Sequence, residues 1–281
     1  MTDIFYIAYL KNKQGWGFSA FEKFLKSYEK FPAGVEHNLI ILLRGYENNS
    51  EEYEKIKEIC RQKKIKTIDT TDTGYDFGAY LEGAKQSFSE YIFCMNTTCE
   101  IMTENWLKKL FSAVNEKYKL AGVCGSFELC PKFINDFRLA DSFKDKIKVF
   151  FHKINIFRIV YRYYFTDKTE GFPNYSVRTS AFLIDRNLLI KYFEENDLPK
   201  TKLESYEIEN GKNSLSKFVI KSGYEICVVD KSGKIFEKEN FDKSNTYRSE
   251  INNYIIKDRQ IENYEKTNWL FKKYLKKICW G

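Results

Sequence analysis

The chain predicts an α/β fold with a mostly parallel sheet and helices on both faces. Three observations predict it. Continuous apolar runs recur through the first half, as strands buried on both faces require. Segments with apolar residues at helical spacing separate them. Polar, Gly- or Asp-bearing turns join the two kinds of segment, so strand and helix alternate.

Taken in order, "IFYIAYL" (4–10) is the first strand. The next segment places Phe18, Phe21, Phe24, Leu25 and Tyr28 on one helical face. "HNLIILLRGY" (37–46) is a second strand. "SEEYEKIKEICRQKK" (50–64) is a helix, with Ser50 as N-cap and acids in its first turn. Strand 65–70, helix 77–88, strand 90–96, helix 103–114 and strand 120–128 follow. The second half is less regular. Residues 178–196 read as a strand then a helix, 213–223 as a helix closed by Gly223, and 224–237 as a hairpin around Ser232-Gly233. The tail "NWLFKKYLKKICWG" places Trp269, Leu270, Tyr274, Leu275 and Ile278 on one helical face, with lysines opposite. Sheets of this kind bind ligands at the carboxyl ends of their strands.

Composition narrows the partners. The formal net charge is +7, but it is local. Residues 144–163 carry six Lys/Arg against one Asp, and 266–281 carry five Lys and no acid. Basic residues mixed with aromatics suit an anionic lipid surface better than duplex nucleic acid, and no nucleic-acid-binding motif is present. The stretch 143–165 reads either as a core-packing helix pair with a solvated basic side or as an interfacial element. Seven cysteines without a CxxC pair, and two histidines, argue against structural zinc and for a reducing compartment. His152 reads as a packed residue. "MTDIFYIAYLKN" lacks a basic region before its apolar run, so no signal peptide is expected. No apolar run reaches membrane-spanning length.

The stretch "TDTGYDFGAYLEGA" (71–84) carries the chemical question. Its glycines and Asp76 suit either a plain helix start, with Asp76 as cap, or the floor of a nucleotide site, where glycines let backbone approach the ligand. Further segments add weight: "YIFCMNTT", "NWLKKLF", "LAGVCGSFE", "FPNYSVRTSAFLIDR", "IENGKNSLSKFVIKSGYEICVVDKSGKIFE" and "SNTYRSEINNYIIKDR". In this order and spacing they resemble a family of bacterial GT-A-like glycosyltransferases associated with surface polysaccharide synthesis, from about residue 4 to the closing "WG".

The resemblance implies a Rossmann-like GT-A domain over 1–238, with an acceptor-side or membrane-facing insertion at 131–172. A C-terminal extension, 239–281, packs on it and ends in a basic amphipathic helix. It implies transfer of a sugar from a nucleotide-diphosphate donor to a glycan or lipid-linked glycan acceptor, by a cytoplasmic enzyme resting on the inner face of the membrane. Tyr9, Gly74, Asp76, Gly78, Asn96 and Thr98 are expected to line the donor site, with Arg178 and Arg248 facing the diphosphate. Asn174 and Glu128 fall on the acceptor side. Glu209 is the expected base, chosen over Glu204 and Glu207, and a base implies inversion. The alternative for these acids is support of the following helix N-terminus; for the arginines it is a structural ion pair.

Where many GT-A enzymes carry Asp-x-Asp for Mg²⁺ or Mn²⁺, this chain has Asn96-Thr97-Thr98. Neutral oxygens bind hard cations weakly. Either Glu100 completes a weak site with Asn96 and Thr98, or cations and N–H groups stabilise the leaving diphosphate without metal. Two other readings stay open. One is a non-catalytic scaffold that binds glycan or membrane. The other is a nucleotidyltransferase, which "KNKQGWGF" (11–18) evokes faintly as a triphosphate loop.

Overall fold

The computed structural model describes residues 2–10, 17–46, 50–128 and 171–281. The basic aromatic stretch 131–170, His152, and most of "KNKQGWGF" lie outside the described residues.

Strand β1 (Thr2–Tyr9) leads through α1 (Gly17–Lys30) to β2 (His37–Arg44), then α2 (Glu51–Gln62), β3 (Lys66–Asp69), α3 (Tyr75–Gln86) and β4 (Tyr91–Met95). Short β5 (Glu100–Ile101) and α4 (Trp106–Phe111) precede β6 (Tyr118–Gly122) and β7 (Gly125–Ser126). After 171 come β8 (Ser176–Val177), β9 (Ala181–Asp185), α5 (Arg186–Glu195), α6 (Lys202–Asn210), α7 (Leu215–Lys221) and the hairpin β10 (Glu225–Val229) with β11 (Ile235–Glu237). A 3-10 segment (Lys238–Ser244), β12 (Ile256–Lys257), α8 (Arg259–Lys266) and α9 (Trp269–Trp280) complete the described chain.

The main sheet has eight strands in the order β11-β10-β6-β9-β4-β1-β2-β3. β3, β2, β1 and β4 are parallel neighbours. β9 runs antiparallel between β4 and β6, and β10 is parallel to β6. Six strands therefore end at the same edge. The chain leaves β1 toward β2 and β3 on one side and toward β4 on the other. Open sheets with such a reversal bind ligands at the strand ends beside it. The mostly parallel α/β sheet flanked by helices is the architecture expected from the sequence. The antiparallel β9 is the main departure within it.

The apolar runs are continuous because both faces are covered. One face packs Ile4, Tyr6, Ile41, Leu43, Phe93 and Met95 against α1, α2 and α4. The other packs Phe5, Ile7, Leu42, Ile92, Cys94 and Phe182 against α3, α5, α6 and α7. Each fully buried side chain of this size contributes about 1.5–3 kcal/mol, so the sheet is a firm platform for its carboxyl edge. Ser50 caps α2 as expected, accepting from the Tyr53 amide at 3.2 Å.

The extension 239–281 packs on this platform. Its β12 pairs with β5. Trp280 Nε1 donates to the Tyr247 carbonyl at 3.2 Å, and the Phe127 amide donates to the Cys279 carbonyl at 3.2 Å. Within α9 the apolar positions do not share one face. Leu275 and Cys279 are buried, whereas Trp269, Leu270 and Tyr274 are exposed beside Lys273, Lys276 and Lys277. Packing of the last turn selects which apolar residues go inward, and the helical pattern alone does not. No helix among the described residues is long and apolar enough to cross a membrane.

Candidate functional site

The carboxyl edge collects most of the residues singled out from the sequence, in two neighbouring clusters. The outer cluster lies beyond β1, β2 and β3. Tyr9 ends β1 and Arg44 ends β2. The Arg44 guanidinium lies 4.6 Å from the Tyr9 ring centre, 2.8 Å from Asp76 Oδ1 and 3.0 Å from Asp72 Oδ1. Arg44 is buried, while both carboxylates are partly open. A buried arginine thus holds two aspartates at the carboxyl edge of the sheet. Asp76 sits in the first turn of α3, but Gly74 is the capping residue.

The two glycines have reasons internal to the fold. Gly74 has φ +79°, and Tyr75 follows at φ +53°, so the turn needs two successive left-handed residues. A Cβ on Gly78 would stand 1.9 Å from the Thr73 carbonyl oxygen. The chain's own backbone therefore claims the space beside Gly78, the simpler of the two readings of that glycine.

At the end of β4, Asn96 closes an Asx turn. Its Oδ1 accepts from the Thr98 amide at 3.0 Å, from Thr98 Oγ1 at 3.1 Å and from Cys99 Sγ at 3.4 Å. Thr98 Oγ1 also accepts from the Arg259 amide at 3.3 Å. These oxygens are already engaged, and Glu100 lies beyond the turn in β5. No group of three or more His, Cys, Asp or Glu among the described residues could hold a metal ion. Asn96, Thr98 and Glu100 do not fit a divalent cation. Because the amide of Thr98 must meet the oxygen of Asn96, the remaining polar group of that side chain is Nδ2, a donor.

The inner cluster is charged and buried. Arg178, just before β9, places Nη1 3.3 Å from Glu209 Oε1 and 4.0 Å from Glu128 Oε2. Arg248 Nη1 lies 3.0 Å from Glu128 Oε1 and donates to the Leu275 carbonyl at 3.0 Å. The Tyr247 ring lies between the guanidiniums, 4.3 Å from Arg178 and 5.0 Å from Arg248. Burial works against the charge on Arg178, but Tyr247, Glu209, Asp258 and Glu128 outweigh it and raise its pKa above the ordinary arginine value. Arg248 is shifted the same way, with burial outweighed by Tyr247, Glu128 and Cys279. Asn174 is 1% exposed and donates to the Glu128 and Asn210 carbonyls at 3.2 and 2.8 Å.

Glu209 lies in the last turn of α6, a helix the sequence reading missed by treating 204–214 as the approach to the next one. The signal was present. Thr201 and Glu204 form a capping box, spelled T-K-L-E. Glu204 is therefore committed to the cap, and Glu209 is carried further along the helix. Also missed were Arg44, Tyr75, Lys202, Tyr206, Tyr247 and Arg259. Lys202 lies 5.3 Å from the Tyr75 ring centre and 5.4 Å from that of Tyr206. Lys202, Tyr206 and Glu209, at i, i+4 and i+7, form one stripe along α6 that links the two clusters.

An open groove of about 1010 Å³ lies at the opposite, amino edge, lined by Asp3, His37, Lys64 and Phe88 among others. Its central polar groups are paired within the chain. Asp3 accepts from Asn38 and Ser87, and His37 contacts Tyr28 Oη and the Val35 carbonyl.

No protein-family model matches the chain, and no curated protein matches it. Solved structures share its course. The galactosyltransferase LgtC, in complex with donor and acceptor sugar analogs, is 13% identical over 81% of this chain and 73% of that one, with a TM-score of 0.44. Mouse xyloside xylosyltransferase 1, in its apo form, is 11% identical over 82% and 86%, at 0.44. The synthetase for CMP:2-keto-3-deoxy-manno-octonic acid, complexed with CTP, is 10% identical over 81% and 88%, at 0.43. These likenesses concern the path of the chain and assign no residue a role.

Proposed function

We propose that the protein is a glycosyltransferase that moves a sugar from a nucleotide-diphosphate donor to a hydroxyl of a bacterial surface-glycan acceptor, with inversion. One observation carries the reading: Glu128, Asn174, Arg178, Glu209 and Arg248, singled out from distant segments of the sequence, meet in one buried cluster beside the rim formed by Tyr9, Asp76 and Asn96. In this reading Tyr9 and the Asp72–Asp76 pair receive the nucleoside, with Arg44 setting the carboxylates. Gly74 and Gly78 shape the turn that carries them.

Glu209 takes the acceptor proton as the acceptor oxygen attacks the anomeric carbon. The bond from that carbon to the diphosphate oxygen breaks, and the diphosphate leaves with the electron pair. Arg178 and Arg248 serve the reaction from beneath the site, by fixing Glu209 and Glu128. Asn174 ties the Glu128 strand end to the end of α6 on the acceptor side. The tail adds a location. Trp269, Leu270 and Tyr274 stand exposed among lysines, a face suited to an anionic membrane surface, and a lipid-linked acceptor would be met there.

Thermal melting with UDP, GDP, CDP and their sugars tests the reading, because a ligand of the folded state raises its apparent stability. Stabilisation by one nucleotide, followed by transfer from its sugar, is expected. Folded protein that no nucleotide stabilises would favour a scaffold instead, and release of pyrophosphate from CTP with a free sugar acid would favour a nucleotidyltransferase.

A further inference from the structure

We infer that Asn210 and Ser176 are positioning residues for Glu209, an inference that rests on the role proposed above for Glu209 as the base. They fix the end of α6 from which the carboxylate projects. Asn210 is the last residue of α6 and is buried. A buried amide costs folding free energy unless it is bonded. Its side-chain oxygen accepts from Ser176 Oγ at 2.8 Å, and its carbonyl accepts from Asn174 Nδ2 at 2.8 Å. A helix end leaves its last carbonyls without an internal partner, and here Asn174 supplies one from another segment. Ser176 is fully buried, and its hydroxyl also lies 3.2 Å from the Ser126 carbonyl. One proton therefore serves two oxygens. In the β7–β8 pair Ser176 stands opposite Ser126, and Ser126 Oγ accepts from the Glu128 amide at 2.9 Å. The helix end is thus fastened to the strand pair that leads into Glu128 and Arg178.

The spacing gives this attachment a direction. Ser176 and Arg178 are two residues apart, which puts them on one face of an extended segment. They meet consecutive residues of α6, Ser176 at Asn210 and Arg178 at Glu209. Arg178 draws the carboxylate end of the Glu209 side chain. Ser176 and Asn174 hold its backbone end through Asn210. Glu209 Oε1 accepts no hydrogen bond among the described residues, so the ion pair is the contact that acts on that oxygen. Hydrogen bonds prefer a narrow range of angles, whereas charge attraction depends mainly on distance. The two kinds of contact together set both the reach and the orientation of the side chain. Misplacement of a reacting group by about 1 Å can cost on the order of 100-fold in rate.

Steady-state release of nucleoside diphosphate by the full chain tests this, with the sugar of the nucleotide found by melting as donor and water as acceptor. Ser176→Ala removes one oxygen and little volume. It is expected to lower kcat about tenfold and to leave the donor KM within about twofold. Asn210→Ala is expected to do the same. Glu209→Gln supplies the discriminating background. Residues that act only through Glu209 lose their effect once its carboxylate is gone, so Ser176→Ala added to Glu209→Gln should change kcat by less than about twofold. A tenfold loss in both backgrounds overturns the inference, because it marks a general effect on the fold. So does a Ser176→Ala variant that keeps its nucleotide-induced melting shift and turns over at the wild-type rate. Near-normal turnover in Glu209→Gln alone, or none in the wild type, removes the base itself, and the positioning role falls with it.

Discussion

Arg178, directly after β8, and Glu209, in the last turn of α6, face each other at 3.3 Å. The arginine fixes where the carboxylate points, and Tyr247 on its other side fixes the arginine. If Glu209 is the base, Glu209→Gln keeps size and packing and removes proton acceptance. We expect kcat to fall about 10²–10⁴-fold with donor affinity kept. Near-normal turnover in steady-state assays would remove Glu209 from the mechanism.

Glu128 is the carboxylate shared by both buried arginines. Glu128→Gln leaves two guanidiniums with too little negative charge. Breaking a buried ion network by removing one member costs about 3–5 kcal/mol. Urea denaturation should show the midpoint falling accordingly, whatever happens to activity. A change below about 1 kcal/mol would mean that the cluster takes up water in solution.

Gly78 has backbone where a side chain would go. Gly78→Ala forces the Thr73 carbonyl aside, which costs roughly 1–3 kcal/mol as an overpacked site and displaces the turn bearing Asp76. Gly171→Ala is the control, since nothing among the described residues lies within 4 Å of the position its added methyl would take. Chemical denaturation of the pair should separate them, with Gly171→Ala close to wild type.

Asp230 gives a pH prediction with a definite sign. Burial opposes its charge, but hydrogen bonds from Ser232, Asn253 and the Lys234 amide prevail and lower its pKa. The folded value therefore lies below the unfolded one of about 3.9. Its contribution to stability is present above that value and is lost as pH falls through the folded pKa. Asp230→Asn should destabilise the protein at about pH 7, and the gap to wild type should narrow below about pH 4. A gap that stays constant from about pH 7 to about pH 3 would contradict this assignment.

The parts of the fold legible in the sequence were those with strong local signals. Ile4–Ala8 and Leu39–Leu43 read as buried strands because both sheet faces are covered, and Ser50 read as a cap because it is one. Helix α6 was hidden by its weak amphipathicity, although its Thr201–Glu204 box was written out. The pairing of β9 between β4 and β6 depends on contacts far apart in the chain, which no local pattern encodes. At the site, residue type and family likeness singled out Glu209, Glu128 and the two arginines, and a structural ion pair was the open alternative for the arginines, but which carboxylate meets which guanidinium was not legible. Charge balance depends on which distant carboxylates fold beside each guanidinium. Lys202 reads in the sequence as an ordinary surface cation, and only the fold shows it over the rings of Tyr75 and Tyr206.

The anchoring of Tyr247 and Arg248 by the last turns of α9 has a consequence for biogenesis. Trp280 Nε1 and the Leu275 carbonyl hold these residues in place, so the inner cluster stays unfinished while the ribosome still shelters residues 275–280. A nascent chain therefore carries its sheet strands and the Arg44–Asp76 pair well before it can anchor Tyr247 and Arg248.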